Sequence, residues 1–165
     1  MKRIRKLPGE TGNYLGQVAK FSKENKMVFS PELFLATNPY GQYWETPGKL
    51  PKGVKRQKLG TCYMSSYHLA ASDPDRFIYI EGFATAVIPT SHAWCLDKKT
   101  NEIVDPVWIK GYSYYGIPIR QGFLEHSMVE TEYYGLFPFC CKNEPPIFYS
   151  KPEEYVHPDF LKHAA

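Results

Sequence analysis

The sequence predicts one α+β domain, and three observations lead to that prediction. The 165 residues include 12 glycines and 14 prolines, which indicate many turns and short elements rather than a helical bundle. A helical segment at 62–71 is followed by several segments rich in β-branched and aromatic residues. Hydrophobic residues make up 43% of the chain, which supplies enough apolar surface for a single core spanning residues 1–165.

The N-terminal third is predicted to hold one short helix and one long loop. Residues 1–13 are expected to form a loose arm, and residues 14–26 a helix whose apolar side comprises Leu15, Val18, Ala19 and Phe21. Segment 30–53 is rich in proline, glycine and aromatic residues, so we predict a long ordered loop that forms one wall of a cleft. Tyr43 and Trp44 in this loop are therefore candidate substrate-binding residues.

The centre of the chain is predicted to place one helix beside a sheet. Thr61 is a suitable N-cap for the helix at 62–71, and the sequence Ser72-Asp73-Pro74 ends that helix. The next residues predict strands at 77–80, 83–88, 91–96 and 103–107. The last two strands are expected to form a hairpin through the polar turn at 97–102.

The periodic pattern weakens after Trp108. An aromatic segment at 112–119 predicts a strand, and residues 121–132 predict a helix. The proline-rich tail at 143–165 is expected to wrap the surface of the domain.

Basic residues are concentrated in two clusters. Residues 1–58 carry a net charge of +8 and residues 59–165 carry −5. The clusters are Lys2, Arg3, Arg5 and Lys6, and then Lys49, Lys52, Lys55, Arg56 and Lys58. Such clusters bind acidic partners or nucleic acid, or they are simply solvated. No nucleic-acid-binding signature accompanies them, which favours the solvated interpretation.

The cysteine and hydropathy patterns predict a cytoplasmic protein with free thiols. No stretch reaches the roughly 20 apolar residues of a membrane span, and no apolar segment follows the charged N-terminus. Cys140 and Cys141 are adjacent, which argues against a disulfide framework. His126, His157 and His163 show no ligand spacing, so we expect neither zinc nor another cofactor.

Cys62, His92 and Asp105 are the candidate catalytic residues. Cys62 stands at the predicted N-terminus of a helix, where the partial positive charge favours a thiolate, the form that attacks a carbonyl. His92 and Asp105 fall on the two arms of the predicted hairpin. Pairing of Leu96 with Asn101, or of Asp97 with Glu102, places both side chains on one face of the sheet. The carboxylate then orients the imidazole toward Cys62, as in a catalytic triad.

The order of these residues resembles that of the transglutaminase-like branch of the papain-like cysteine peptidase superfamily. His92 follows Cys62 by 30 residues, and Asp105 follows His92 by 13. Three local motifs are similar to those of that branch: Gly60-Thr61-Cys62, His92-Ala93-Trp94 and Val104-Asp105-Pro106-Val107-Trp108. The similar part covers about 50 residues, and the chain as a whole resembles small phage or bacterial proteins. For a phage protein, the expected location is the host cytoplasm.

The resemblance implies a papain-like fold, in which a central helix carrying Cys62 packs on an antiparallel sheet carrying His92 and Asp105. It implies acyl transfer or amide hydrolysis through a thioester, with a protein, a peptide or a small amide as substrate. Papain-like enzymes use an upstream glutamine in the oxyanion hole, so Gln57 is a candidate second donor beside the backbone N–H of Cys62. Trp94, two residues after His92, is a further candidate for substrate contact.

Hydrolysis by a small thiol protease or amidase is the favoured function, because no feature of the sequence indicates a bound amine acceptor. Two other functions stay open. The chain is alternatively a non-catalytic, phage-type binding or inhibitor protein that uses its basic clusters to hold an acidic partner or nucleic acid. A third function is a thiol hydrolase or transferase acting on an anionic, nucleotide-linked substrate, which Lys55 and Arg56 would bring to Cys62.

Overall fold

The chain folds into helices arranged around one antiparallel sheet, which confirms the α+β prediction. The structure is a computed structural model that describes residues 3–27, 29–137 and 145–162. Its elements are α1 (Gly9–Glu24), α2 (Pro31–Thr37), β1 (Gln42–Trp44), α3 (Cys62–Ser72), β2 (Phe77–Thr85), β3 (Pro89–Asp97), β4 (Glu102–Val104), β5 (Ser113–Pro118), α4 (Gln121–Thr131), a 3-10 turn (Pro146–Phe148), α5 (Pro152–Tyr155) and α6 (Pro158–Leu161). Across those three ranges, no helix combines the length and apolar character needed to cross a membrane.

The sheet has the strand order β1-β5-β2-β3-β4, and every neighbouring pair is antiparallel. β2 and β3 pair along nine residues each, from Phe77 opposite Asp97 to Thr85 opposite Pro89. The two predicted strands at 77–80 and 83–88 are thus one strand, which continues through Gly82. A Cβ at Gly82 would lie 2.1 Å from the carbonyl oxygen of Tyr115, so the close approach of β2 and β5 at this position requires glycine.

The two faces of the sheet carry separate apolar clusters. Alternate side chains of a strand point to opposite faces, so Phe77, Tyr79 and Phe83 of β2 join the larger cluster, which also contains residues of α1, α2 and α3. The intervening positions of β2 join a smaller cluster with β3, β4 and β5, whose buried members are Ile78, Ile80, Ala84, Trp94, Leu96, Ile103 and Tyr114. Helix α3 therefore packs on one face only.

Two predictions for the N-terminal third are wrong. The expected arm is not loose, because residues 9–13 begin α1, Leu7 is buried, and Arg5 donates through Nη1 to the carbonyl of Asn38 at 2.7 Å. Segment 30–53 is not a continuous loop, because it contains α2 and β1. Ser30 starts α2 by accepting the N–H of Leu33 at its hydroxyl, with proline at the first helical position.

The C-terminal strand and helix agree closely with the elements predicted from the sequence. The predicted strand at 112–119 contains β5, and the predicted helix at 121–132 contains α4. In the described part of the tail, Ile147, Tyr155 and Val156 are buried against the larger cluster. Cys140, Cys141 and His163 lie outside the described residues.

Candidate functional site

The β3–β4 hairpin brings His92 and Asp105 together. Its register pairs Asp97 with Glu102 and Leu96 with Ile103, the second of the two predicted registers. The prediction that both side chains share one face is thereby confirmed. His92 Nε2 lies 2.7 Å from Asp105 Oδ2, and both residues are only 1% exposed.

The Asp105 carboxylate is held by four hydrogen bonds. Oδ1 accepts the backbone N–H groups of Val107 and Trp108, each at 2.8 Å. Oδ2 accepts from His92 and from the Tyr114 hydroxyl, the latter at 2.9 Å. Burial acts to raise the pKa of Asp105, but the hydrogen bond and positive charge of His92, with the two backbone N–H groups, lower it below its usual value. The carboxylate is therefore both fixed and ionised.

The imidazole of His92 is buried between charged and aromatic neighbours. Burial alone would lower its pKa, but hydrogen bonds to Asp105 and to Cys62, together with their negative charge, raise it to about 9. Trp108 stacks on the ring, with 3.9 Å between ring centroids and 17° between planes. The indole thus covers one face of the imidazole and limits its exposure to water.

Helix α3 brings Cys62 to His92. Ser66 donates its hydroxyl to the carbonyl of Ala93 at 3.0 Å, and the Cys95 thiol donates to the carbonyl of Ser66 at 3.2 Å, which fastens α3 to β3. Cys62 is the first residue of α3 and is partly exposed. Because Asp105 occupies Nε2 of His92, Nδ1 is the ring nitrogen left for Cys62.

Thr61 occupies the predicted N-cap position, although its side chain does not cap the helix. Its hydroxyl donates to the carbonyl of Lys58 at 2.7 Å and hydrogen-bonds to the Ser65 hydroxyl at 2.8 Å. The backbone carbonyl of Thr61 accepts the N–H of Ser65 at 2.8 Å. These bonds close the turn that presents Cys62.

The basic segment before α3 is tied to the aspartate segment. Arg56 Nη1 donates to the carbonyls of Asp105 at 2.6 Å and Trp108 at 2.5 Å, and the N–H of Gln57 donates to the carbonyl of Pro106 at 2.8 Å. This nitrogen of Arg56 is therefore used to hold backbone. Lys55 is exposed and lines a cavity of about 330 Å³ between this segment and α3.

The remaining predicted site residues differ in exposure and in the part of the fold that they occupy. Gln57 is exposed, and its side-chain amide donates to the carbonyl of Lys55 at 3.0 Å, so its oxyanion role stays a prediction. Trp94 is 0% exposed and belongs to the smaller apolar cluster, so its role in substrate binding stays a prediction. Tyr43 and Trp44 are half-buried on the edge strand β1, where Trp44 packs edge-on against Trp94.

Sequence reasoning missed Tyr114 and Glu81. Tyr114 bonds Asp105 from β5, a strand separated from β3 by β2, and no sequence spacing indicates that contact. Glu81 is 0% exposed on β2, and its carboxylate accepts the N–H groups of Leu136 and Phe137 at 2.7–2.8 Å and the Tyr79 hydroxyl at 2.8 Å. A single acidic residue in an otherwise apolar strand is a sequence signal for such a buried carboxylate.

No group of three or more histidine, cysteine, aspartate or glutamate side chains is placed to hold a metal ion within the part of the chain that the structure describes. Comparison with known proteins gives no match to any family model, any curated protein or any solved structure. The likeness to transglutaminase-like proteins therefore stays a likeness of three short motifs. Function has to be inferred from the geometry around Cys62.

Proposed function

We propose that the protein is a cysteine-dependent acyl-transfer enzyme, an amide or peptide hydrolase of transglutaminase-like type with a papain-like arrangement of helix and sheet. The observation that carries this proposal is the buried His92–Asp105 pair, joined by the 2.7 Å contact between Nε2 and Oδ2, with Cys62 at the first position of α3 acting on the same imidazole. A partly exposed thiol, a buried imidazole and a buried carboxylate in this order form the arrangement required for nucleophilic catalysis.

In the proposed reaction, the imidazolium of His92 holds at Nδ1 the proton that comes from the Cys62 thiol, and the thiolate sulfur bonds to the carbonyl carbon of the substrate amide. The carbon–nitrogen bond then breaks, and His92 returns the proton to the leaving amine. Water, losing a proton to His92, attacks the resulting thioester. The carbon–sulfur bond breaks, the carboxylic acid leaves, and the proton returns to Cys62.

The surrounding residues support each of these steps. Asp105 holds the imidazole with Nε2 bonded to the carboxylate, which keeps Nδ1 for the thiol and favours a protonated ring after attack. The N–H of Cys62, at the first position of α3, has no partner inside the helix, so it is suited to donate to an oxyanion. Trp108 excludes water from one face of the His92 ring.

The test is the rate of iodoacetamide alkylation at each cysteine, measured by mass spectrometry between pH 5 and pH 9. At pH 7 we expect Cys62 to react at least about tenfold faster than a free thiol, because the neighbouring imidazole of His92 activates it as a nucleophile. Cys95 serves as an internal reference, since burial raises the pKa of its thiol and keeps it from reagent.

His92→Ala should remove the rate advantage of Cys62, whereas His126→Ala, a change at an exposed position of α4, should preserve it. Equal rates at Cys62 in the wild-type protein and in His92→Ala would exclude the proposed function. If the advantage depends on His92, peptide and amide libraries are the next substrates to screen.

A further inference from the structure

The segment that leads into α3 is a short strap of irregular backbone, residues 53–60, which ends two residues before Cys62. Gly53 and Gly60 at its two ends have φ values of +89° and +86°, in the region that favours glycine, and a Cβ at either position would meet open space. From its third residue onward the strap is exposed. Because packing holds it so little, we expect hydrogen bonds to its neighbours to decide where the strap lies.

The strap is bonded to the turn that follows β4, the four residues from Asp105 to Trp108, which we call the aspartate loop. Arg56 Nη1 donates to the carbonyl of Asp105 at 2.6 Å and to the carbonyl of Trp108 at 2.5 Å, so one nitrogen joins both ends of the loop. The backbone N–H of Gln57 donates to the carbonyl of Pro106 at 2.8 Å. Three of the four carbonyls of the aspartate loop therefore accept hydrogen bonds from two consecutive residues of the strap.

Both ends of the aspartate loop contact His92. Asp105 Oδ2 lies 2.7 Å from Nε2 of His92, and the Trp108 indole stacks on the imidazole with 3.9 Å between ring centroids. Within the loop, the N–H of Trp108 also donates to Oδ1 of Asp105 at 2.8 Å. A displacement of either end of the loop thus changes the surroundings of the imidazole, and Arg56 is bonded to both ends.

An arginine side chain is well suited to this connection. Nη1 carries two N–H groups in a rigid planar fork, so it can donate to two carbonyls at once, and the guanidinium group stays charged at every pH at which the proposed reaction would run. Charged donors form stronger hydrogen bonds than neutral donors do. The loop also contains Pro106, which has no N–H, so the loop has one backbone donor fewer with which to hold its own shape.

We propose that Arg56 is a positioning residue for the proposed reaction: its guanidinium group holds the aspartate loop in the place where Asp105 and Trp108 both contact His92. This role differs from the one predicted from the sequence, in which Arg56 brings an anionic substrate to Cys62. The inference rests on the proposed function, because the position of His92 matters for catalysis only if His92 activates Cys62.

The first measurement is an NMR titration of the histidine ring signals, with the His92 signal identified by its absence in His92→Ala. The bond to Asp105 helps to raise the pKa of His92 to about 9, whereas burial acts to lower it. Loosening the aspartate loop in Arg56→Ala should therefore lower this pKa from about 9 toward the ordinary 6.5. Lys58→Ala removes an equal charge from the same strap, at an exposed position nearer to Cys62 in the chain, and should leave the pKa unchanged.

The second measurement is the rate of iodoacetamide alkylation at Cys62 at pH 7. It should be about fivefold slower in Arg56→Ala than in the wild type, because the imidazole is no longer held in place beside the thiol. The rate should be unchanged in Lys58→Ala. Arg56→Lys keeps the charge but loses the planar fork, so its alkylation rate and its His92 pKa should lie between those of the wild type and Arg56→Ala. Urea denaturation checks that each variant is folded.

An unchanged His92 pKa in Arg56→Ala would overturn the positioning role, and so would a Cys62 rate that depends on His92 but not on Arg56. Equal shifts in Arg56→Ala and Lys58→Ala, or wild-type behaviour of Arg56→Lys, would also overturn it, because either result means that Arg56 acts only as a surface charge. Failure of the proposed function gives a different result: alkylation of Cys62 would ignore His92→Ala, while the His92 pKa would still respond to Arg56→Ala.

Discussion

Two buried carboxylates, Glu81 on β2 and Asp105 directly after β4, have nearly the same kinds of hydrogen-bond partner and opposite pKa shifts. Each accepts two consecutive backbone N–H groups and one tyrosine hydroxyl, Tyr114 for Asp105 and Tyr79 for Glu81. Burial acts to raise both pKa values. The pKa of Asp105 is nevertheless lowered, whereas that of Glu81 is raised to about 7.

The difference between the two sites is His92. Its hydrogen bond and positive charge are the largest effects opposing burial at Asp105, and no cation takes that place among the groups acting on Glu81. Three neutral donors therefore do not offset the desolvation of a carboxylate, and one imidazolium added to them does. Asp105 is an ionised partner for His92, and Glu81 is a hydrogen-bonding anchor for the turn after α4, which contains Leu136 and Phe137.

The largest expected change in stability comes from removing the carboxylate charge at Asp105, and the same change at Glu81 is the control. Asp105→Asn should lower the free energy of unfolding at pH 8 by about 3–5 kcal/mol, because it leaves buried His92 without its anionic partner. Glu81→Gln should change it by less than about 1 kcal/mol at the same pH, because it removes a buried anion that has no cation. Urea denaturation measures both. Equal losses in the two variants would show that His92 is not what distinguishes the sites.

The free energy of unfolding should vary with pH as Glu81 gains or loses its proton. Its pKa rises from the ordinary 4.5 to about 7 in the folded state, so its stabilising contribution is complete below pH 4.5 and is lost as the pH rises through 7. The full loss corresponds to about 3 kcal/mol. His92, whose pKa is raised to about 9, contributes stability that is present below 6.5 and is lost as the pH rises through 9.

Comparing wild-type protein with Glu81→Gln at pH 5 and pH 8 separates the two contributions. The variant should be less stable than the wild type at pH 5 and nearly equal to it at pH 8. A stability difference that does not vary with pH would mean that Glu81 keeps one protonation state throughout.

The smallest expected effect comes from the two tyrosine hydroxyls. Tyr114→Phe should cost about 1–2 kcal/mol of unfolding free energy at both pH 5 and pH 8, because Asp105 stays ionised over that range. Tyr79→Phe should cost as much at pH 8 and less at pH 5, where Glu81 is neutral and accepts a weaker hydrogen bond. Urea denaturation of both variants at the two pH values measures these losses. The same pH dependence in both variants would show that Asp105 and Glu81 do not differ in protonation.

Local patterns in the sequence predict the half of the site that lies on one hairpin. The polar turn at 97–102 favours two registers that both place His92 and Asp105 on one face, and one of them is present. The residues after Thr61 predict the helix that begins at Cys62, although the Thr61 side chain does not cap it. The start of α2 was also encoded locally, in Ser30 and Pro31, but aromatic composition pointed to a loop instead.

Contacts between distant elements could not be predicted in this way. Tyr114 reaches Asp105 only because β5 pairs with β2, and Trp94 is buried only because β2, β4 and β5 supply apolar neighbours on the face that it occupies. Glu81 binds Leu136, which is 55 residues away, and one sequence holds no periodic signal for such a contact. The sequence does not specify the strand order, and the strand order decides which side chains on one face become neighbours.

The two halves of the site also differ in how much chain must be ordered before they form. The His92–Asp105 hydrogen bond joins residues 13 apart, and the Glu81–Leu136 bond joins residues 55 apart. Loop-closure entropy makes the longer contact about 1 kcal/mol more costly to initiate. During folding, the hairpin can therefore acquire its histidine–aspartate pair while the chain beyond α4 is still unattached. The His92–Asp105 pair is ready first, and the turn after α4 attaches to the sheet last.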